Sequence, residues 1–476
     1  MKHVDVLVVG SGAGGATTAA TLARAGVDTL VLEEGPDIAA GVLPQFSQDQ
    51  MRAQYRNRGQ LVALGIPPIA YAEGRCVGGS TEINSGLYHP PSPELLARWS
   101  RIWHIEDLDS QDVAPISAAL EQNLSVGMFP GPLPPASQFL ADGARQLGWR
   151  AAEVPRWYRH DRGERQSMSR TYLQEAVKAG AQIRSGAWVR RLEVHNGRAG
   201  AAWVEYADGS TERIAFDAAF VCGGAVQSPA LLLRSGIRRK VGRTLSLHPT
   251  VKAVARSPRI GNDPRDVPVT QVREFAPNMT VGGSATDPAL LALALLETAV
   301  GVGGVTDYGL DAGIYYAAIR SPGRGRVRVL PRTRDPVVTF PTSHRDMARL
   351  RSALGRLLLV LLAAGAEEVV PSVRGGEAIR ALEQIPQEAQ RLTRRTAELM
   401  TVHVCSSVPM GEDRARCAVD SFGASHEVAG LYVNDASIIN EAPGINPQGT
   451  LMALAIRNAE HFLRSRGQQP PPREFG

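Results

Sequence analysis

Apolar and polar positions follow a recognisable order at the start of the chain. Residues 4–9 are apolar, mostly β-branched and bounded by Gly10, which predicts a short buried strand. An alanine-rich segment that ends near Gly26 predicts a helix, and residues 29–32 predict a second strand that closes on Glu33. The order strand, helix, strand predicts a βαβ unit at the beginning of the chain.

The turn between the first strand and the helix carries the pattern G-x-G-x-x-G, formed by Gly10, Gly12 and Gly15, with Ala13 inside it. Such glycines allow a tight turn and a close approach of the backbone to a pyrophosphate, which the helix N-terminus stabilises. An acid at the end of the second strand accepts from ribose hydroxyls, and Glu33 has that spacing. The pattern predicts a dinucleotide site, and an ordinary glycine-rich turn is the alternative.

The later chain changes pattern twice. Residues 91–169 are rich in proline and weakly patterned, which is typical of an insertion that covers a cleft. Strand-like segments then surround the turn Asp208-Gly209 and predict a β-meander. Residues 251–395 alternate β-type stretches with glycine and proline turns and contain one long helix at 344–364, which predicts an antiparallel sheet with helices on one side.

Composition narrows the function classes. The net charge of +5 is small for 476 residues and lies on scattered arginines, which argues against nucleic acid as a partner. The four cysteines follow no metal-binding or disulfide spacing, so we expect no metal site and a cytoplasmic location. The strand pattern begins by residue 4, which predicts that there is no signal peptide. The apolar runs 289–296 and 357–364 are far shorter than the ~18 residues of a membrane span and predict buried core.

A cluster of small residues at 74–90 carries a more specific signal. Its hydrogen-bonding groups can lie flat against a ring system, and a turn that caps the next helix is the alternative. The cluster resembles the first signature of the glucose–methanol–choline (GMC) flavoprotein oxidoreductases, which is carried here by Arg75, Gly78, Gly79, Ser80 and Asn84. The segment 224–237 resembles the second signature, and His248-Pro249 follows it in the family's order.

The resemblance implies an α/β fold: an FAD-binding Rossmann-like domain of three layers (ββα) and an α+β substrate domain built on an antiparallel sheet. Residues 1–90, 170–250 and 396–476 are expected to form the FAD domain, 91–169 a cap over the cleft, and 251–395 the substrate domain. The residues expected to bind FAD are Gly10, Gly12, Ala13, Gly15, Glu33, Arg75, Gly79, Ser80, Asn84, Val189, Gly223, Asp435, Ala436, Pro447, Gln448 and Gly449. Some members attach FAD covalently through a histidine where this chain has Ile83, so we expect non-covalent FAD.

The C-terminal segment holds the expected reacting groups. Asn446-Pro447 opens a patterned helix, so the simplest interpretation of Asn446 is an N-cap, with Pro447 at the first helical position. The resemblance implies instead that Asn446 and His403 both point at the substrate hydroxyl in front of the flavin. Residues 405–407 depart from the pattern of many members, so the loop beside His403 is expected to differ.

These residues predict FAD-dependent oxidation of an alcohol to an aldehyde or ketone by hydride transfer. His403 is expected to accept the hydroxyl proton, and Asn446 to hold the substrate oxygen. Oxygen or another electron acceptor completes the cycle, and the sequence leaves oxidase and dehydrogenase open, as it leaves the oligomeric state.

Three substrate interpretations stay open. The resemblance favours a sugar, aminosugar or cyclitol hydroxyl in a bacterial natural-product pathway. A long-chain or terpenoid or steroid-like alcohol is favoured if residues 290–296 line the cleft, and a non-redox lyase that keeps FAD structurally is the third interpretation. Glu274, Asp307 and Asp311 are expected to be solvated surface acids rather than ligands of a cationic substrate.

Overall fold

The structure is a computed structural model, and it describes residues 2–261, 263 and 267–476. Its first sheet has seven strands, and the strand that starts the chain lies near the centre. In spatial order six of them are Ala187–His195, Arg198–Tyr206, Thr211–Val221, Lys2–Val9, Thr29–Leu32 and Gln182–Arg184, and Leu431–Val433 pairs with Thr211–Val221. The N-terminal strand is parallel to both of its neighbours, which confirms the βαβ prediction.

The N-terminal strand is buried on both faces. Val6, Leu7 and Val8 are fully buried, as expected for a parallel strand that is covered on both sides. The helices Ala13–Arg24 and Gln448–Ser465 pack together in one layer. The antiparallel meander continues into the parallel sheet through its third strand, which gives the three-layer arrangement of an FAD-binding domain.

The second sheet has nine strands, which are antiparallel except for one pair. In spatial order eight of them are Leu61–Ala63, Ile69–Tyr71, Leu399–Thr401, Thr250–Arg256, Ala312–Ile319, Met279–Gly283, Thr270–Val272 and Ala151–Glu153, and Glu368–Pro371 pairs with Thr250–Arg256. The helix His344–Ala363 packs on this sheet through Leu350, Leu354, Leu357 and Leu361, whose spacing places them on one face. An antiparallel sheet with a long helix on it was predicted, and the fold class is confirmed.

Several strands of this sheet come from outside residues 251–395. Leu61–Ala63 and Ile69–Tyr71 belong to the first predicted segment, Ala151–Glu153 to the cap, and Leu399–Thr401 to the C-terminal segment. The predicted domains are therefore joined through shared strands, and their boundaries stay a prediction.

The remaining elements are short and connect the two sheets. The other helices are Gln48–Gln54, Pro93–Trp103, Ser110–Asn123, Pro135–Gln146, Tyr172–Lys178, Gly224–Arg234, Pro288–Leu295, Gly304–Tyr308 and Ile385–Arg391, with 3-10 turns at Arg56–Gly59, Gly79–Glu82, Met168–Arg170, Gly309–Asp311, Leu382–Gln384 and Ala436–Ile438. Three small sheets pair Ser246–Leu247 with Val404–Cys405, Arg326–Arg328 with Val337–Thr339, and Arg156–Arg159 with both Val126–Gly127 and Glu164–Arg165.

The two apolar runs behave differently. Residues 357–363 lie in the long helix and Ala364 is its C-cap, and most of this run is buried core, as predicted. In the helix Pro288–Leu295, Leu291 and Leu295 are buried in a small separate cluster, whereas Leu293 is 55% exposed. Core was therefore right for only one face of that helix, because it packs on one side and meets solvent on the other. No helix within the described residues is long and apolar enough to cross a bilayer.

Candidate cofactor site and active site

The first glycine turn packs tightly against neighbouring backbone and ends at a helix N-terminus. Gly10 has a φ of +100°, and a Cβ there would lie 2.5 Å from the carbonyl oxygen of Cys222. A Cβ on Gly15 would overlap the carbonyl oxygen of Gly10. Gly12 is the N-cap of the helix that begins at Ala13, so the free N–H groups of the first helical turn lie at this glycine turn. The turn therefore fits a pyrophosphate group.

Glu33 directly follows the second strand, and its carboxylate reaches the glycine turn. Ser11 donates to Oε2 from its backbone N at 3.0 Å and from its hydroxyl at 2.7 Å, and Gly35 N donates to Oε1 at 2.8 Å. Burial raises the pKa of this carboxyl, and the three bonds oppose that rise. Glu33 is thus held rigidly where the sequence pattern requires an acceptor for ribose hydroxyls.

The second glycine loop lies directly on the first. Gly79 has a φ of +57°, and a Cβ there would lie 2.8 Å from Cα of Gly12. Ser80 Oγ accepts a backbone N–H of the same loop at 2.9 Å. Arg75 Nε lies 3.2 Å from Glu34 Oε1, so its guanidinium ties the loop to the end of the second strand. The two loops together form a side-chain-free surface that a flat cofactor can approach.

The loop is also tied to the C-terminal helix. Asn84 Nδ2 donates to Gln448 Oε1 at 2.6 Å. The helix begins at Gln448, and a Cβ on Gly449 would overlap the carbonyl oxygen of His89. Only glycine permits this close approach, which places the helix N-terminus beside the predicted flavin loop.

Asp435 braces the turn that begins at Gly223. Its Oδ2 accepts from Gly224 N at 2.7 Å and from the Ser228 hydroxyl, and its Oδ1 accepts from Ser437 N at 2.8 Å. Burial raises the pKa of Asp435, and these bonds lower it. The side chain is therefore fully used in holding this turn, and the backbone at this position is what remains for the cofactor.

Two further predicted contacts are backbone positions. Val189 is buried in its strand and pairs with Val204, and the ladder shifts register just after it. The carbonyl oxygen of Ala436 accepts from Ser406 N at 3.1 Å, which joins the cofactor segment to the loop after His403. These contacts link the predicted cofactor residues to one another, and the glycine turns among them fit an FAD molecule.

The interpretation of Asn446 as an N-cap is wrong. Pro447 occupies the N-cap position, one residue later than predicted, and the helix begins at Gln448. The Asn446 side chain instead lies between Gln271 and His403, with both contacts at 3.3 Å. Its amide is therefore available for chemistry, because the helix does not use it.

A two-residue strand pair places His403 beside a second histidine. Leu247 pairs antiparallel with Val404, and the same register continues to His248 and His403. The two Nδ1 atoms lie 2.9 Å apart. Burial lowers the pKa of His403 to about 4, and burial together with the nearby His403 and Arg320 holds the pKa of His248 well below its usual range. Both rings are neutral at neutral pH.

A row across three strands supports Asn446 from the other side. Gln271 pairs with Gly282, and Gly282 pairs with Tyr316. A Cβ on Gly282 would lie 2.7 Å from Tyr316 Oη, so glycine makes room for Gln271 Nε2 to reach that hydroxyl at 3.2 Å. The same amide lies 3.3 Å from Asn446 Oδ1.

Arg273 sets the direction of these bonds. A guanidinium only donates, so His89 Nδ1 accepts from it at 2.7 Å and neutral His89 donates from Nε2 to Gln271 Oε1 at 3.1 Å. Burial and the charge of Arg273 lower the pKa of His89 to about 3, which keeps it neutral. Gln271 then donates to Asn446 Oδ1, and the Asn446 Nδ2 donor faces His403 Nε2.

The opposite end of the chain of bonds also donates. Gly444 N lies 2.8 Å from His248 Nε2, so neutral His248 carries its proton on Nδ1 and offers it to His403 Nδ1. Neutral His403 then carries its own proton on Nε2, toward Asn446. Each side chain between Arg273 and Gly444 accepts one bond and donates one within this row. Because Arg273 and Gly444 both donate, one contact of the row has a donor on each side. The longest contacts are the two made by Asn446, and the contact with two donors is the one between Asn446 and His403. A substrate oxygen between Asn446 and His403 relieves it by accepting a bond.

Three members of this cluster were not predicted from the sequence to have a role in the site. His248 had a signal, because it stands in the His-Pro pair of the family pattern, but no role was inferred from it. His89 and Gln271 had none, since only the folded sheet brings them to Asn446. Other histidines lie elsewhere: His426 Nε2 contacts a backbone oxygen at 2.9 Å, and His461 stacks on a phenylalanine ring. Across the described residues, no group of three or more His, Cys, Asp or Glu side chains is placed to hold a metal ion.

Family models and known proteins are similar to this chain in sequence. The family models described as GMC oxidoreductase match residues 4–250 and 321–455. A GMC-type oxidoreductase of Sinorhizobium fredii, y4nJ, is 36% identical and covers 98% of this chain and 96% of its own length. The long-chain-alcohol oxidase FAO3 of Arabidopsis thaliana is 26% identical over 97% of this chain and 68% of its own.

Solved structures share the fold at low identity. Pyridoxine 4-oxidase from Mesorbium loti has a TM-score of 0.75 at 19% identity, covering 96% of this chain and 99% of its own. A formate oxidase has a TM-score of 0.76 at 15% identity, covering 98% and 99%. The family models and the sequence relatives go further than this likeness in fold. The chain belongs to the GMC family of FAD-dependent alcohol oxidoreductases.

Proposed function

We propose that the chain oxidises an alcohol with His403 as the base for the hydroxyl proton and Asn446 as the donor to the substrate oxygen. The observation that carries this proposal is the 3.3 Å contact between His403 Nε2 and Asn446 Nδ2, at the end of a chain of bonds that starts at Arg273. In the tautomer of His403 that carries its proton on Nδ1, Nε2 is an acceptor beside the Asn446 donor, and an alcohol oxygen needs both, since it donates one proton and accepts one bond.

The residues of this chain handle the proton and the orientation. His403 takes the hydroxyl proton at Nε2 in the neutral tautomer that carries its proton on Nδ1, the atom that faces His248. Asn446 keeps its amide orientation because Gln271 donates to Oδ1, so Nδ2 is fixed toward the substrate oxygen. FAD, when bound, supplies the hydride acceptor. We propose that it is held without a covalent bond, because the position of the linking histidine is the buried Ile83.

The polar character of the cluster supports a polyhydroxylated substrate such as a sugar or cyclitol. Gln271, Tyr316 and His89 all lie within two hydrogen bonds of Asn446 and offer donors and acceptors to neighbouring hydroxyls. A cationic aminosugar has less support, because Glu274 already pairs with Arg150 at 3.1 Å.

A long-chain alcohol is the second candidate, since relatives in Arabidopsis thaliana are long-chain-alcohol oxidases. The apolar helix Pro288–Leu295 does not support it. Leu291 and Leu295 pack against Val254 and Ile314, and no described side-chain contact joins that helix to His403.

The proposal is tested by adding alcohols one at a time to the FAD-loaded protein without oxygen. We expect a polyol or sugar to bleach the flavin band near about 450 nm. His403→Asn should slow that bleaching by about 100-fold or more, since general base catalysis contributes that much. His426→Asn is the matched control and should bleach at the unmodified rate. Readmitting air then distinguishes an oxidase from a dehydrogenase. A flavin that no alcohol bleaches, or equal rates in the two variants, would refute the proposal.

A further inference from the structure

A small sheet beside the second domain presents arginines to solvent. The strands Arg326–Arg328 and Val337–Thr339 pair antiparallel. Val327 is 2% exposed and faces the core, so strand alternation turns the arginines on both sides of it outward. Leu64 bridges to Thr339 and extends this surface on its other edge.

An open cleft of about 480 Å³ lies on this surface. Four arginines line it: Arg324, Arg326, Arg328 and Arg394. Of the described residues that line the cleft, none is acidic, and none of the four guanidiniums has an ion pair within the part of the chain that the structure describes. Glu441 acts on Arg324 only from beyond ion-pair distance, so the four guanidiniums leave the cleft positively charged, and an anion is the complementary ligand.

Three buried polar atoms at the cleft have no hydrogen-bond partner among the described residues. They are Arg324 Nη1, Arg394 Nε and Thr342 Oγ1. Arg394 is held in place, because its Nη2 donates to the carbonyl oxygen of Thr342 at 2.7 Å. Buried polar groups are nearly always satisfied, so these three residues have hydrogen-bonding capacity beside the cleft that the described residues leave unused.

The cleft also has an apolar lining, part of which is open to solvent. Leu64 is 51% exposed and Ile66 is 71% exposed, whereas Phe340 is buried. Exposed apolar side chains in the same cleft as four guanidiniums suit a molecule with an anionic head and an apolar body. The volume of the cleft is in the range of small-molecule sites, which is roughly 300–1,000 Å³.

A second cleft of about 420 Å³ on the other side of Arg326–Arg328 is less complete. It also holds arginines, including Arg238 and Arg243. None of its described lining residues carries a buried polar atom without a partner, and it lacks the exposed leucine and isoleucine. The first cleft therefore has the more complete set of features for binding an amphipathic anion.

We propose that the cleft between Ile66 and the row Arg324, Arg326 and Arg328 binds a small amphipathic anion. Its phosphate-type or carboxylate head lies on the guanidiniums, and its apolar body lies along Leu64 and Ile66. The cleft shares no lining residue with the His403 cluster, so the inference does not depend on the proposed reaction.

Calorimetric titration of the FAD-loaded protein tests this site. The probes are hexylphosphonate, hexanoate, inorganic phosphate and the uncharged diethyl ester of hexylphosphonate. We expect at least one hexyl anion to bind with 1:1 stoichiometry, about tenfold or more tighter than phosphate, because the chain buries several CH₂ groups. The neutral ester should give no heat, and the tighter of the two hexyl anions identifies the head group.

Variants assign the binding to the cleft. Arg326→Gln with Arg328→Gln removes two exposed charges and should weaken the hexyl anion by about tenfold or more. Arg101→Gln with Arg162→Gln removes the same charge elsewhere and should leave the affinity unchanged. Arg326 and Arg328 also line the second cleft, so Ile66→Ser assigns the binding to the first: it should weaken the hexyl anion but not phosphate. Unchanged affinity in the first double variant or in Ile66→Ser, equal losses in both double variants, or binding of neither hexyl anion would overturn the proposal.

Discussion

Replacing Asn446 by aspartate gives the sharpest test of the environment of His403. The two side chains are nearly isosteric, and the new carboxylate would lie 3.3 Å from His403 Nε2. At an effective dielectric constant of ~20, unit charges at that distance attract by about 5 kcal/mol. Burying the carboxylate costs part of this energy, so we expect a rise of about 1–3 units in the pKa of His403.

A higher pKa of His403 should shift the acid limb of the pH dependence of flavin reduction to higher pH. In the unmodified protein the pKa of His403 is lowered to about 4 by burial, so the base is still about 90% neutral at pH 5. In Asn446→Asp the limb should move to between about pH 5 and 7. Its plateau should also be lower, because the variant loses the donor to the substrate oxygen.

The assay is stopped-flow flavin reduction without oxygen, measured from pH 4 to 8 with one alcohol substrate. Asn196→Asp adds the same charge on an exposed turn and serves as the control, which should keep the unmodified limb. A limb near pH 6.5 in the unmodified protein would contradict a buried, neutral His403. Identical limbs in Asn446→Asp and the unmodified protein would contradict the placement of Asn446 beside the base.

Three further predictions concern the FAD site, the row of bonds that ends at Asn446, and the pKa of His403. Gly449→Ala places a Cβ on the carbonyl oxygen of His89, so FAD affinity should fall by at least about tenfold in a fluorescence titration, whereas Gly467→Ala after the same helix should retain it. Gly282→Ala pushes Tyr316 away from Gln271 and should lower kcat/KM by about tenfold with little change in melting temperature. The pKa of His403 is lower in the folded state than in the unfolded chain, so the unfolded chain binds more protons between about pH 4 and 6.5. The free energy of unfolding should therefore fall as the pH drops through that window. The fall should be smaller in His403→Asn.

The cofactor half of the molecule could be predicted from local sequence. Gly10, Gly12 and Gly15 mark a turn by themselves, and Glu33 follows at a fixed spacing, so the βαβ unit needs no distant information. The family pattern added Gly79, which lies against Gly12, and Asn84, which donates to Gln448.

The substrate side could not be predicted in the same way. Gln271 reaches both Asn446 and, across Gly282, Tyr316 in a three-strand row, and strand order is set by long-range pairing. His89 comes from a loop whose position depends on its contact with Gly449. The cap prediction for Asn446 was wrong because a local propensity was overridden by tertiary contacts.

The central claim is that His403 takes the hydroxyl proton while an alcohol reduces the bound flavin. The most direct measurement is single-turnover bleaching near about 450 nm without oxygen, with the unmodified protein and His403→Asn side by side at saturating alcohol. The account predicts complete bleaching of both flavins, with a rate constant at least about 100-fold lower in the variant and a flavin spectrum unchanged before mixing. Equal rate constants in the two proteins would contradict it.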